Sequence, residues 1–141
     1  MRFATWLEAG DIWYHGSRRP WDGVGGQQQG FGGIHLGTKR AALQRLENTP
    51  SQRVRGVPGG ELLHKVRVRL QRPYNKPTDP MSEHDLFLLL NLNQYDRKLD
   101  RIKAKHDGIY YLNSVEDAGK VSVLVFDKSR IQLLGTEPKA I

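Results

Sequence analysis

The chain contains no cysteine among its 141 residues. That absence excludes disulfide staples, thiol nucleophiles and thiolate metal sites together, and it fits a reducing compartment. Long apolar runs are missing too, and none reaches the length that spans a bilayer. The N-terminus lacks the basic region, apolar core and small-residue cleavage site of a signal peptide. The expectation is a soluble, cytoplasmic protein with no membrane partner, delivery into another cell being left open. Metal-ligating patterns are equally scarce. His64, His84 and His106 lack ligand spacing and no His-Glu-x-x-His segment occurs, so no metal is expected. The segment "DGVGGQQQG" holds glycines but no Gly-x-x-x-x-Gly-Lys-Ser/Thr pattern, which removes a nucleoside-triphosphate P-loop.

What the chain has in excess is positive charge, with a formal net +7. Such a surface draws nucleic acid, nucleotides or anionic membranes by long-range electrostatics, and it also serves plain solubility. The length suits one compact domain over residues 1–141, with a monomer as the expected state.

Residues 11 to 15 read as a strand rich in β-favouring side chains. The glycine-dense stretch from 16 to 32 reads as a long loop, functional or mobile. "GGIHLGT" at 32 to 38 is a short strand, and Thr38 can cap a helix with Ala42, Leu43 and Leu46 on one face. Residues 49 to 60 form another loop. From 61 to 70 the chain alternates: Leu62, His64, Val66, Val68 and Leu70 share one face, and Lys65, Arg67 and Arg69 the other. That describes a half-buried strand with a basic outer stripe, read as a solvated face in preference to a nucleic-acid track. After a loop at 72 to 80, Ser82 and Asp85 resemble a capping box. The helix they open carries Leu88, Leu92, Tyr95, Leu99 and Ile102 as an expected core-facing stripe. Strands follow at 107 to 113 and 120 to 127 around "SVEDAG", then a last one at 130 to 134. Strands dominate over two helices, so the expected class is α+β.

Three polar residues stand at strand boundaries: His15 in "YHGS", His35 in "GGIHLGTKRAAL" and Glu116 in "YYLNSVEDAGKVSVLVFD". Singly, each has an ordinary explanation as a satisfied histidine or a solvated turn carboxylate. In that order and at those separations, however, the segments resemble the three motifs of the ADP-ribosyltransferase superfamily. The first is similar to the Tyr-His-Gly-Thr/Ser motif of diphtheria-toxin-type and rifampin-modifying enzymes. The second resembles the Gly-Ile-Tyr-Phe segment of poly(ADP-ribose) polymerases with its following helix. The third resembles the Tyr-x-Asn-x-x-Glu run that carries the catalytic glutamate of diphtheria toxin. The resemblance covers about residues 11 to 134 and extends to members found in phages and mobile elements.

The resemblance implies a split β-sandwich, two mostly antiparallel sheets around an NAD cleft with helices outside. It also implies transfer of ADP-ribose from NAD, here a substrate, to a macromolecular acceptor. Splitting the nicotinamide–ribose bond passes through an oxocarbenium-like state, so one carboxylate beside the ribose is the central requirement. By resemblance Glu116 has that role and His35 stands where the second motif places its nicotinamide-stacking tyrosine. His15 would bind the adenosine-side ribose, and Gly16 would offer its backbone to the carboxamide. Arg18 or Arg19 would meet the pyrophosphate. Ser17 and Tyr14 complete the expected NAD-contacting set, Tyr14 chiefly by packing. Histidine at position 35 is also what RNA 2′-phosphotransferases show, although these lack the glutamate. Ser114 stands where arginine-directed transferases carry Glu or Gln, which disfavours an arginine acceptor. The charge favours a nucleic acid or a nucleic-acid-associated protein. An RNA phosphotransferase-like enzyme and a non-catalytic nucleic-acid-binding module are the alternatives.

Overall fold

Two sheets form because two groups of apolar strands each need a face to bury. The computed structural model describes residues 12–17, 33–47, 62–114 and 117–138. In chain order these hold β1 (Ile12–Ser17), β2 (Ile34–Leu36), α1 (Lys39–Glu47), β3 (Leu62–Val68), β4 (Met81–Ser82) and α2 (Glu83–Asp96). They continue with α3 (Lys98–Lys105), β5 (Gly108–Asn113), β6 (Lys120–Val125), a 3₁₀ turn (Lys128–Arg130) and β7 (Ile131–Pro138). One sheet runs β1-β3-β7 and the other β2-β6-β5-β4. Every pairing is antiparallel except β4 with β5. The class is α+β.

Alternation along the strands separates two cores. Trp13, Val66 and Val68 of the three-stranded sheet meet Ile34, Leu36, Val123 and Val125 of the other, closing a core between the sheets. The opposite face of the four-stranded sheet presents Ile109, Tyr111 and Leu124 to Leu86, Leu89, Leu99 and Ile102 of α2 and α3. Burial of such side chains contributes about 1.5–3 kcal/mol each against exposure. α1 starts where Thr38 Oγ1 accepts from Ala41 N at 3.0 Å, the cap expected from its sequence. It packs against β1 at Gly16, where an added Cβ would lie 2.7 Å from the Ala42 carbonyl oxygen. Only a residue without a side chain allows that approach.

The stretch at 72 to 80 proves to be a docked connection. Tyr74 N donates to Gly108 O at 2.9 Å, and the Asn75 amide exchanges two hydrogen bonds with the Tyr110 backbone, both 2.8 Å. Asn75 thereby covers part of an otherwise open strand edge.

Four expectations need correction. The helix after Ser82 is two helices, broken at Arg97, whose φ of 58° is left-handed. Leu88, Leu92 and Tyr95 are exposed, and the buried residues of α2 are Leu86 and Leu89. The first strand does not stop at His15 but runs through Ser17, because β3 pairs with it over its whole length. The last strand is also longer than 130 to 134, since backbone pairing with β3 continues to Pro138 despite exposed side chains. Among the described residues, no helix is long and apolar enough to cross a membrane.

Candidate functional site

Among the described residues, backbone hydrogen bonds join the two sheets at one pair. Tyr14 N donates to Gly37 O at 2.8 Å and Gly37 N returns a bond to Tyr14 O at 3.0 Å. This seam brings the ends of β1 and β2 together, and with them the two histidines singled out in the sequence. His15 Nδ1 lies 3.2 Å from the His35 carbonyl oxygen. A carbonyl only accepts, so Nδ1 carries the proton and Nε2 is the acceptor nitrogen of that tautomer.

His15 is 8% exposed. Burial is the main reason its pKa falls from 6.5 to about 4. The hydrogen bond to His35 works against that shift, and the neighbouring His64, Arg45 and His35 reinforce it electrostatically. At neutral pH this ring is an uncharged hydrogen-bonding group.

His35 sits on the other sheet, on the face that also carries Tyr111 and Ser122 by strand register. Its Nδ1 is 3.0 Å from Tyr111 Oη, and the two rings meet edge to face with centroids 5.7 Å apart. Asn113 Nδ2 donates to Ser122 Oγ at 3.2 Å on the same surface. A small cavity opens between these groups, β1 and α1. His15, Gly16, His35, Tyr111, Asn113 and Arg45 are on its wall, and Tyr14 contributes as well. The space is about 30 Å³, room for a water molecule.

Behind His15 lies a second histidine that the sequence reading treated only as a strand residue. His64 is fully buried, its ring stacked on His15 at 6.1 Å between centroids. Its Nε2 is 2.7 Å from Ser17 Oγ and its Nδ1 2.9 Å from Thr136 Oγ1. Hydroxyls both donate and accept, so either tautomer is satisfied by this pair. Ser17 is thus tied into the sheet interior by a relay across β1, β3 and β7. A polar residue on the apolar face of an alternating strand was the signal that could have found it.

Asp117 was missed as well. Its carboxylate accepts from Thr38 Oγ1 at 2.6 Å and lies 4.0 Å from Arg40 Nε, while its backbone N donates to Gln44 Oε1. The left-handed φ of 48° at Asp117 belongs to the turn that Lys120 N closes on Asp117 O. The tip of the β5–β6 connection is therefore anchored to the start of α1. Nothing in local spacing announces a partner 79 positions away.

The structure thus brings His15, Gly16, Tyr14 and His35 to one seam, with Ser17 directed to His64. Glu116 and Arg18 lie outside the described residues, as do Arg19 and most of the glycine-dense stretch. Among the described residues no cluster of His, Cys, Asp or Glu could hold a metal ion. No family description, curated protein or solved structure matches this chain.

Proposed function

We propose that this chain transfers ADP-ribose from NAD to a macromolecular acceptor, a nucleic acid or a nucleic-acid-associated protein, and releases nicotinamide. The fold proposed with it is the ADP-ribosyltransferase-like split sandwich. One observation carries the reading: His15 and His35, from separate sheets, meet at a cavity with 3.2 Å between ring nitrogen and carbonyl oxygen.

The chemistry of the wall suits a dinucleotide. Neutral His15 brings an imidazole ring to the wall where a ribose would lie, and the His35–Tyr111 pair brings an aromatic edge beside a carboxamide. Arg45 brings a guanidinium to the rim, a match for a pyrophosphate. The cavity itself is smaller than a nicotinamide ring, so binding requires the seam to widen.

The nicotinamide–ribose bond would break with its electron pair leaving on nicotinamide. A nucleophile of the acceptor would then attack the ribose carbon and lose its proton. Glu116 would stabilise the positive ribose. In support, the neighbouring Asp117 is fastened to Thr38, the cap of the helix that lines the cavity, and to Gln44 on that helix.

The test is nicotinamide release from NAD by the wild type and Glu116→Ala, with slow hydrolysis counted as activity. The expected loss is about 10²–10³-fold, the scale for removing one preorganised electrostatic group. Equal rates would overturn the role of Glu116. NAD-dependent loss of an RNA phosphate that survives Glu116→Ala would replace transfer with the phosphotransferase reading.

A further inference from the structure

β3 carries a second cavity, away from the histidine seam. It lies between the end of β3, the 3₁₀ turn and the start of β7, with a volume of about 310 Å³. Arg67, Arg69, Gln71, Ser129, Arg130 and Gln132 supply its polar wall, and no carboxylate is among the lining residues. The three guanidiniums are not equivalent. Arg130 is balanced from behind, its Nε 3.3 Å from Asp107 Oδ2 and 3.6 Å from Asp127 Oδ2. Arg67 and Arg69 form no ion pair among the described residues. The Nε atoms of Arg67 and Arg130 are both buried without a hydrogen bond among the described residues, and only Arg130 has carboxylates beside it. A charged donor removed from water without an acceptor is costly, and an oxyanion in the cavity would offset that cost.

We infer that this cavity is a phosphate site that seats a backbone phosphodiester of a single-stranded nucleic acid. The guanidinium fork of Arg67 fits two phosphate oxygens in a way a lysine would not. Gln132 lies directly opposite Arg67 on β7, adding an amide donor at the same level. The choice of a strand over a lone phosphate rests on the row Lys65, Arg67 and Arg69. Lys65 and Arg67 are two positions apart on β3 and Arg69 follows just past its end, so neighbouring cations are about 6.6 Å apart where the chain is extended. A linear row leading into a pocket follows an extended polyanion, as single-strand grooves do. The stripe that alternation alone presents as a solvated face is thus a track with a seat at its end. This site shares no lining residue with the histidine seam.

The experiment is anisotropy of the full chain with a labelled single-stranded oligonucleotide about 12 nucleotides long, over a series of salt concentrations. Arg67→Gln/Arg69→Gln should bind about tenfold or more weakly and lower the log–log salt slope by about 1.4. Lys98→Gln/Lys105→Gln removes the same charge from α3 and should change affinity less than about twofold. Arg69→Gln alone, at an exposed position, provides the same test should the double variant fail to fold, with a slope change of about 0.7. Equal weakening by the α3 pair would overturn the site in favour of diffuse charge. Displacement of the probe by inorganic phosphate at matched ionic strength with no oligonucleotide preference would overturn the polynucleotide source. A duplex competing as well as the single strand would overturn the extended-strand geometry.

Discussion

Replacing His15 by asparagine should flatten the acid limb of the stability curve. In the folded protein the His15 ring stays neutral down to about pH 4, whereas a solvated histidine takes its proton near 6.5. Between those values the unfolded chain holds the extra proton. Stability therefore falls as pH drops through that window, is unaffected by His15 above it, and levels off below it. The fall from 6.5 to about 4 corresponds to about 3 kcal/mol in all, of which about 2 kcal/mol is lost by pH 5. Asparagine lacks the titrating group, so its own cost is the same at every pH. Urea unfolding of both proteins between about pH 7 and pH 4.5 should show the two stabilities converging as pH falls. Parallel curves would refute the argument, and so would an NMR titration in which the His15 ring protonates near its ordinary value.

Two further outcomes follow from packing and from a buried charge. Gly16→Ala places a Cβ 2.7 Å from the Ala42 carbonyl oxygen and 2.8 Å from Leu46 Cγ. It should lower the urea midpoint by an amount equivalent to about 1–3 kcal/mol with an unchanged m-value. Unaltered stability would mean that α1 does not lie on β1 this closely. Asp107 is 4% exposed, accepts from Gln71 N at 2.7 Å and Arg72 N at 3.0 Å, and faces Arg130. Asp107→Ala should destabilise by about 3 kcal/mol and speed amide exchange at Gln71 and Arg72, read by hydrogen–deuterium exchange.

Local chemistry was legible where a residue acts on its near neighbours. Thr38 and Ser82 cap the helices that follow them, and alternation through Val66 and Val68 marks the buried face of β3. The face of α2 was not legible, because leucines stand at 86, 88, 89, 90 and 92 and no single stripe is favoured. Only the sheet beneath selects Leu86 and Leu89. The break at Arg97 carries no glycine or proline. It is held by the Asp96 carboxylate accepting from Lys98 N at 2.9 Å and by the Arg101 guanidinium donating to Asp96 O at 2.7 Å. At the site, His15 and His35 stood out by motif. His64, Tyr111 and Asp117 did not, because their partners are set by strand register and by a turn that no local pattern encodes.

The pairing of β2 has a consequence for how the molecule is made. Its three residues find their ladder partners on β6, Ile34 opposite Val125 and His35 opposite Leu124. Synthesis from the N-terminus therefore delivers both seam histidines long before the strand that fixes His35 exists. β1 can already lie against β3 while β2 still waits for α2, α3, β5 and β6. Such long-range pairing slows folding, since the loop must close before any contact rewards it. The site thus draws on both halves of the chain, and a nascent chain carries every residue of its first half without possessing it.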